Sequence, residues 1–221
     1  MPKIFYTEEE FLFLKKKKDL FEKFFRDYER KQSNLYNEKN GYSKNFYHFI
    51  PLDVDQFLDQ IYLTFNLLKH DSDILNTNYE YNNFKFLDVG CGIGSKMWIV
   101  TKLYNCKIHG LEINDIYINE AYKTFGLSKN LFTIINALNY EHYSTHDIIY
   151  FYCPCKDFFL QKNLEIKIKT DMKIGSFLLA NLSKTYDNEY LDDKNIQILN
   201  KKFKIIKGKN SPYQILQKIK S

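Results

Sequence analysis

Residues 84–98 read FKFLDVGCGIGSKMW, and the spacing of the glycines inside this stretch decides the fold. An apolar run reaches Asp88, then Gly90, Gly92 and Gly94 alternate with other residues, and a second apolar stretch follows at once. That order spells a buried strand, a tight turn and a helix. A loop for nucleoside triphosphates needs two glycines separated by four residues, then Lys and Ser or Thr. Gly94-Ser95-Lys96-Met97 fails at the Gly-Lys junction and lacks the hydroxyl after the lysine. A dinucleotide loop, G-x-G-x-x-G, would need its third glycine at position 95, where the chain has Ser95. The pattern that remains is G-x-G-x-G with an acid two residues ahead.

Outward from this stretch, short β-like runs alternate with helical ones. The strand candidates are FKFLDV (84–89), CKIHGLEI (106–113), LFTIIN (131–136), DIIYFYC (147–153) and GSFLLANL (175–182). Helices are expected over 94–104, 115–125 and 156–171. Such alternation predicts βαβ units and a parallel sheet covered on both faces. The tail breaks the rhythm: NIQILNKKFKIIKG (195–208) and PYQILQKI (212–219) read as two consecutive strands about a Gly-Lys-Asn-Ser-Pro turn.

The D-x-G-x-G-x-G pattern at the end of a first strand resembles the first motif of the class I S-adenosylmethionine (SAM)-dependent methyltransferases. The likeness covers residues 84–182 and extends to the final hairpin, which matches that family's antiparallel strands six and seven. It implies an α/β fold: a Rossmann-like class I methyltransferase sheet, mostly parallel with a C-terminal antiparallel hairpin, and here with an N-terminal helical extension. The implied cofactor is SAM. Glycines let the backbone approach its amino-acid end, so Asp88, Gly90, Cys91, Gly92 and Gly94 form the methionine side. Glu112, at the end of the second strand, matches the acid that takes both ribose hydroxyls; the same logic serves NAD enzymes, so it does not separate the two. Asn136 stands where relatives often carry an Asp that receives the adenine amino group, and Ile113 and Ala137 would flank the ring. For Ile113 an ordinary core position is an equal alternative.

In such a fold the fourth strand lies beside the first, and its end faces the methyl group. Enzymes that methylate amino groups of bases or glutamine often carry Asn/Asp-Pro-Pro-aromatic there. This chain has Tyr152-Cys153-Pro154-Cys155, which keeps one Pro and lacks the amide or acid. That disfavours base methylation of that type and leaves Tyr152, Cys153 and Pro154 as the transfer-site candidates. Cys153 and Cys155 with Cys91 make a weak zinc signature, so no metal is expected, and a reactive thiol would need a base such as His142 or His146. Buried structural thiols are the favoured reading. A neutral amine needs mainly alignment and desolvation, which suits a protein lysine or small amine as acceptor. FYHFIPLD (46–53) is loosely similar to the entry segment of small protein-lysine methyltransferases related to the ATP-synthase c-subunit enzyme. RNA, DNA or small-molecule acceptors stay open, as does a catalytically silent SAM-binding subunit.

The N-terminal part, residues 1–83, is expected to be a helical extension and lid on a cofactor-binding core, residues 84–221. Thr7 and Glu10 make a capping-box signature, and Phe11, Leu14, Phe21, Phe24, Phe25 and Tyr28 recur at helical spacing. Lys15–Lys18 and Arg26–Lys31 make the rest of that helix basic, as a solvated face or as an arm for an acidic partner such as nucleic acid. Residues 32–51 read as a loop, with Tyr47 or His48 able to reach the site. A second helix is expected from Asp53 to Leu68, followed by a connector over 69–83.

The whole chain has 221 residues, a 44% hydrophobic content and a net charge of +5, which fits one ordinary globular domain with an extension. No apolar run approaches a membrane span. Acids before the first apolar patch and lysines after it are the wrong order for a secretory signal. With four scattered cysteines, a cytoplasmic setting with free thiols is expected.

Overall fold

The computed structural model describes residues 53–74, 80–181, 194–207 and 213–221, together with Lys16, Asp19, Leu20, Lys23, Tyr28 and Lys31. Those six are helical. The rest of the expected basic helix, the loop over 32–51 and the Gly-Lys-Asn-Ser-Pro turn lie outside the described residues. The chain divides into two compact units, residues 1–43 with 48–81, and residues 44–47 with 82–221.

In the first unit, helix α1 (Val54–Ile74) opens on Asp53, whose Oδ1 accepts the Gln56 amide at 3.1 Å. That bond satisfies one of the amides left over at a helix start. Phe57, Ile61 and Phe65 recur every fourth residue and are buried. The helix runs six residues past the expected end at Leu68. The apolar stripe stops there, but Lys69 carries the helix on with its ammonium 5.7 Å over the Tyr81 ring.

The second unit is a seven-strand sheet in the order β3-β2-β1-β4-β5-β7-β6. Strands β1 (Lys85–Val89), β2 (Lys107–Glu112), β3 (Phe132–Ile134), β4 (Ile148–Tyr152) and β5 (Phe177–Asn181) run parallel. β6 (Phe203–Lys207) and β7 (Tyr213–Lys218) close the sheet antiparallel. Helices α2 (Ser95–Tyr104), α3 (Asp115–Phe125) and α4 (Phe158–Asp171) fill the crossovers. β1 and β4 are buried almost end to end, as parallel strands covered on both faces must be. Chain order reverses between β1 and β4, and Asp88 pairs in register with Gly110 on one side and Tyr150 on the other. The carboxyl ends of strands at such a reversal form the crevice where open α/β sheets hold ligands.

One expected strand is corrected. The first half of NIQILNKKFKIIKG is helix α5 (Lys194–Asn200), and only Phe203–Lys207 is strand. Ile196 and Leu199, three residues apart, are buried, while Ile198 is 58% exposed. The alternation of Ile196 and Ile198 looked like a strand; the pairing that buries area is helical. Lys169 of α4 reaches this helix and donates to Asn200 Oδ1 at 3.0 Å. The far end of α4 is closed by Lys218 of β7, whose Nζ donates to the Thr170 and Met172 carbonyls at 2.7 and 2.6 Å.

Between β3 and β4, two short 3₁₀ turns, Ala137–Asn139 and Tyr143–Thr145, fold Tyr140, Tyr143 and His146 inward. His146 Nδ1 donates to the His142 carbonyl at 3.1 Å, and its ring lies 6.2 Å from both His109 and Tyr140. Burial lowers the His146 pKa from 6.5 to about 4 against the hydrogen bond to His142, with His109 and Lys85 lowering it further and Asp147 opposing. On acidification the unfolded chain therefore takes up this proton first. Stability should fall by about 3 kcal/mol between pH 7 and pH 4 on this account. Urea midpoints at both pH values should show that loss in the wild type and a smaller one in His146→Gln; equal losses would refute the assignment.

Candidate functional site

The glycine loop is a left-handed turn built three times over: Gly90 has φ 74°, Gly92 φ 53° and Gly94 φ 74°. Side-chain-bearing residues pay steric strain in that region. Gly90 is also crowded, because a Cβ there would sit 3.0 Å from Cβ of Pro154. The ends of β1 and β4 thus meet through a glycine and a proline. The loop is strapped to the neighbouring strand, with the Gly90 and Cys91 amides donating to the Leu111 carbonyl at 2.9 and 3.0 Å. Gly94 then caps α2, and its carbonyl accepts the Trp98 amide at 3.0 Å.

Glu112 closes the loop. Its Oε2 accepts the Gly92 amide at 2.9 Å, and its Oε1 accepts the Ile113 and Asn114 amides at 2.8 and 3.0 Å. A carboxylate offers about four acceptor positions, so one remains open for a ligand hydroxyl. Burial raises the Glu112 pKa, against the pull of those amides and of Lys96. The sequence placed Glu112 at a ribose; its bond to Gly92 across the strands was not visible there.

Asp88 is wholly buried, and Lys96 Nζ lies 3.6 Å from its Oδ2. The same ammonium stands 5.5 Å from the Tyr150 ring centroid. Sequence reasoning used Lys96 only to reject a triphosphate loop. Its signal was helix phase: in the first turn of α2, side chains lean back toward the helix start and so toward the end of β1.

The ends of β2 and β3 adjoin through the Ile135 amide, which donates to the Glu112 carbonyl at 2.9 Å. Ile113 is 50% exposed, so it is not the core residue that the alternative reading would make it. Asn136 Oδ1 accepts the Leu138 amide at 3.1 Å and so caps the turn that Ala137 begins. An amide oxygen has two acceptor positions, so this cap uses one of them and leaves the other for a ligand's amino group.

At the end of β4, Tyr150 and Phe151 are buried, and Tyr152, Cys153 and Pro154 are half-buried. Cys153 holds φ 37°, a left-handed conformation on a residue with a side chain. The Cys155 amide donates to Gln161 Oε1 at 3.3 Å, and Asp157 Oδ1 caps α4 by accepting the Leu160 amide at 2.9 Å. Burial pushes the Cys153 thiol up to about 12 and the Cys155 thiol up to about 11, and raises that of Cys91 as well. All three stay protonated at neutral pH and are poor nucleophiles. His146, one candidate base, is held by its own loop. Among the described residues no three His, Cys, Asp or Glu side chains gather in a way that could hold a metal ion. No described helix is long and apolar enough to cross a membrane. Tyr47 and His48 lie outside the described residues.

Both Cys153→Gly and Cys153→Ala lose the half-buried thiol, but Cys153→Gly also sheds the left-handed strain and should be the more stable of the two by about 1 kcal/mol. Thermal melts of the two variants check this. Equal midpoints would mean the backbone relaxes without cost.

No protein-family model matches the chain, and no curated protein matches it. Among solved structures it is similar to the N-methyltransferase NodS from Bradyrhizobium japonicum in complex with S-adenosyl-L-homocysteine, at 13% identity over 77% of this chain and 92% of that one, with a TM-score of 0.47. It is also similar to a TehB-like SAM-dependent methyltransferase from Corynebacterium glutamicum, at 11% identity over 73% and 100% of the two chains, TM-score 0.45. A third is magnesium protoporphyrin IX methyltransferase from Synechocystis with bound SAM, at 13% identity over 75% and 84%, TM-score 0.43. At such identities and scores these likenesses decide nothing about activity.

Proposed function

We propose that this chain binds SAM and transfers its methyl group to an amine acceptor, as a class I methyltransferase. One observation carries the reading: three successive left-handed glycines at a strand-order reversal, with their loop closed onto the Glu112 carboxylate. At Gly90 the loop also packs directly against Pro154, so a side chain there would push the ends of β1 and β4 apart. Two buried acids, Asp88 and Glu112, beside the single ammonium of Lys96 suit a cationic ligand with hydroxyls. They would repel a di- or triphosphate.

SAM supplies an electrophilic methyl group on a sulfonium. Asp88 orients the amino-acid ammonium, and the remaining acceptor position of Glu112 takes a ribose hydroxyl. Ile113 and Ala137 cover the adenine, and the Asn136 amide oxygen accepts from the adenine amino group with the lone pair that the Leu138 amide leaves over. Cys91, with Gly90, Gly92 and Gly94, shapes the turn against the cofactor. Tyr152, Cys153 and Pro154 line the acceptor side, where they exclude water and align a neutral amine with the methyl group. A protein lysine is the favoured acceptor, in keeping with the aromatic side chains there and with the layout shared with small protein-lysine methyltransferases. Residues 1–83 act as extension and lid, and the enzyme works in a cytoplasm-like compartment, where its thiols stay reduced.

Incubating the protein and tritium-methyl SAM with a cell extract, then separating protein, RNA and small molecules, tests the acceptor. Label recovered as methyllysine after hydrolysis of the protein fraction is expected. Label in RNA or in small molecules would move the acceptor there, and label in none of them would make the chain a silent SAM-binding subunit.

A further inference from the structure

The amino-acid end of SAM is a zwitterion, and Asp88 answers only its ammonium. Its carboxylate needs a donor, and the loop has few to give. The Gly90 and Cys91 amides are bonded to Leu111, the Gly92 amide to Glu112, and the Gly94 amide to the Cys91 carbonyl at 2.9 Å. Those four amides are spent on the loop's own shape, which leaves the backbone amides at the start of α2, ahead of the Trp98 to Gly94 bond, as the other donors nearby. The cation beside the loop is Lys96, whose buried stem brings Nζ 3.6 Å from Asp88 Oδ2 and under the influence of both acids. That distance is longer than the about 2.8 Å of a tight charge-assisted hydrogen bond, and an ammonium has three donors. The geometry leaves Lys96 able to serve a second carboxylate without leaving the first.

Resting on the SAM reading above, we propose that Lys96 binds the methionyl carboxylate of the cofactor. Asp88 and Lys96 then read the two ends of one zwitterion as a pair. Asp88 and Glu112 against Lys96 leave one net negative charge in the site, matching SAM, whose sulfonium, ammonium and carboxylate sum to one net positive charge. Lys96 is thus a specificity-determining residue: it distinguishes SAM from the same molecule without its carboxylate.

Calorimetric titration with SAM and with decarboxylated SAM, on wild type, Lys96→Met, Lys96→Gln and Lys96→Arg, tests this. Wild type should prefer SAM by about 10-fold to 100-fold. Lys96→Met and Lys96→Gln should bind the two ligands within about 3-fold of each other, and Lys96→Arg should keep the preference. Circular dichroism secures the fold of each variant, and the two neutral replacements cover for one another if either misfolds. A preference retained in the folded neutral variants, or absent from wild type, overturns the role of Lys96. Loss of both ligands in equal measure in those variants would overturn it too, by making the lysine a general support of the loop. Wild type that binds neither ligand would instead remove the SAM reading itself.

Discussion

Glu112→Gln is expected to weaken cofactor binding by about 100-fold while leaving the sheet intact. The native carboxylate accepts three backbone amides, two on Oε1 and one on Oε2. Glutamine keeps one acceptor oxygen and turns an NH₂ group toward the donors opposite the other. Either Gly92 or the pair Ile113 and Asn114 then faces a donor. Each lost hydrogen bond to a charged group costs about 1.5–3 kcal/mol. The loop opens, and its ordering is deferred to the moment of binding; about 3 kcal/mol carried over in this way is about 100-fold in affinity. Calorimetry gives the affinity, and far-ultraviolet circular dichroism checks the sheet. Unchanged affinity in folded protein would mean that Glu112 neither shapes the loop nor meets the cofactor.

Gly90→Val should damage both stability and the junction of β1 with β4. A β-branched residue at φ 74° is strained, at a cost of about 1–2 kcal/mol. Its Cβ also enters the space of Pro154, 3.0 Å away, and displacing packed atoms adds about 1–3 kcal/mol. A loss of about 2–5 kcal/mol follows, together with loss of cofactor binding. Gly126→Ala is the matching control, because Gly126 also has positive φ at the end of α3 but no atom stands within 4 Å of its added Cβ. It should cost about 1 kcal/mol and leave binding alone. Urea titrations of both variants check the difference. Equal losses would mean that contact with Pro154 carries no weight.

Much of the fold is legible in the sequence because it is written locally. The five parallel strands are short apolar runs between turn residues, and α3 begins and ends where its pattern does, at Asp115 and Phe125. A glycine that must be left-handed advertises itself, so the loop is legible residue by residue. The misreadings share one cause, which is that local pattern does not encode packing partners. Ile196 and Ile198 alternate like strand residues, yet burial selects Ile196 with Leu199 and makes a helix. Glu112 is marked by its place at the end of β2, but its bond to Gly92, 20 residues away in sequence, depends on the parallel register of β1 and β2. Lys96 depends on the phase of α2 against β1. Cys153 gives no sign of its left-handed backbone, since cysteine is not a residue that such turns favour.

The proposed SAM site is the loop at Gly90, Gly92 and Gly94. Calorimetric titration of the full chain with SAM, and with its demethylated product S-adenosylhomocysteine, tests it most directly. NAD and ATP serve as comparison ligands. One saturable site is expected for SAM and for its product, weakened in Glu112→Gln and abolished in Gly90→Val, with no binding of NAD or ATP. A well-folded chain that gives no heat with SAM or S-adenosylhomocysteine, or that binds NAD or ATP in their place, would contradict it.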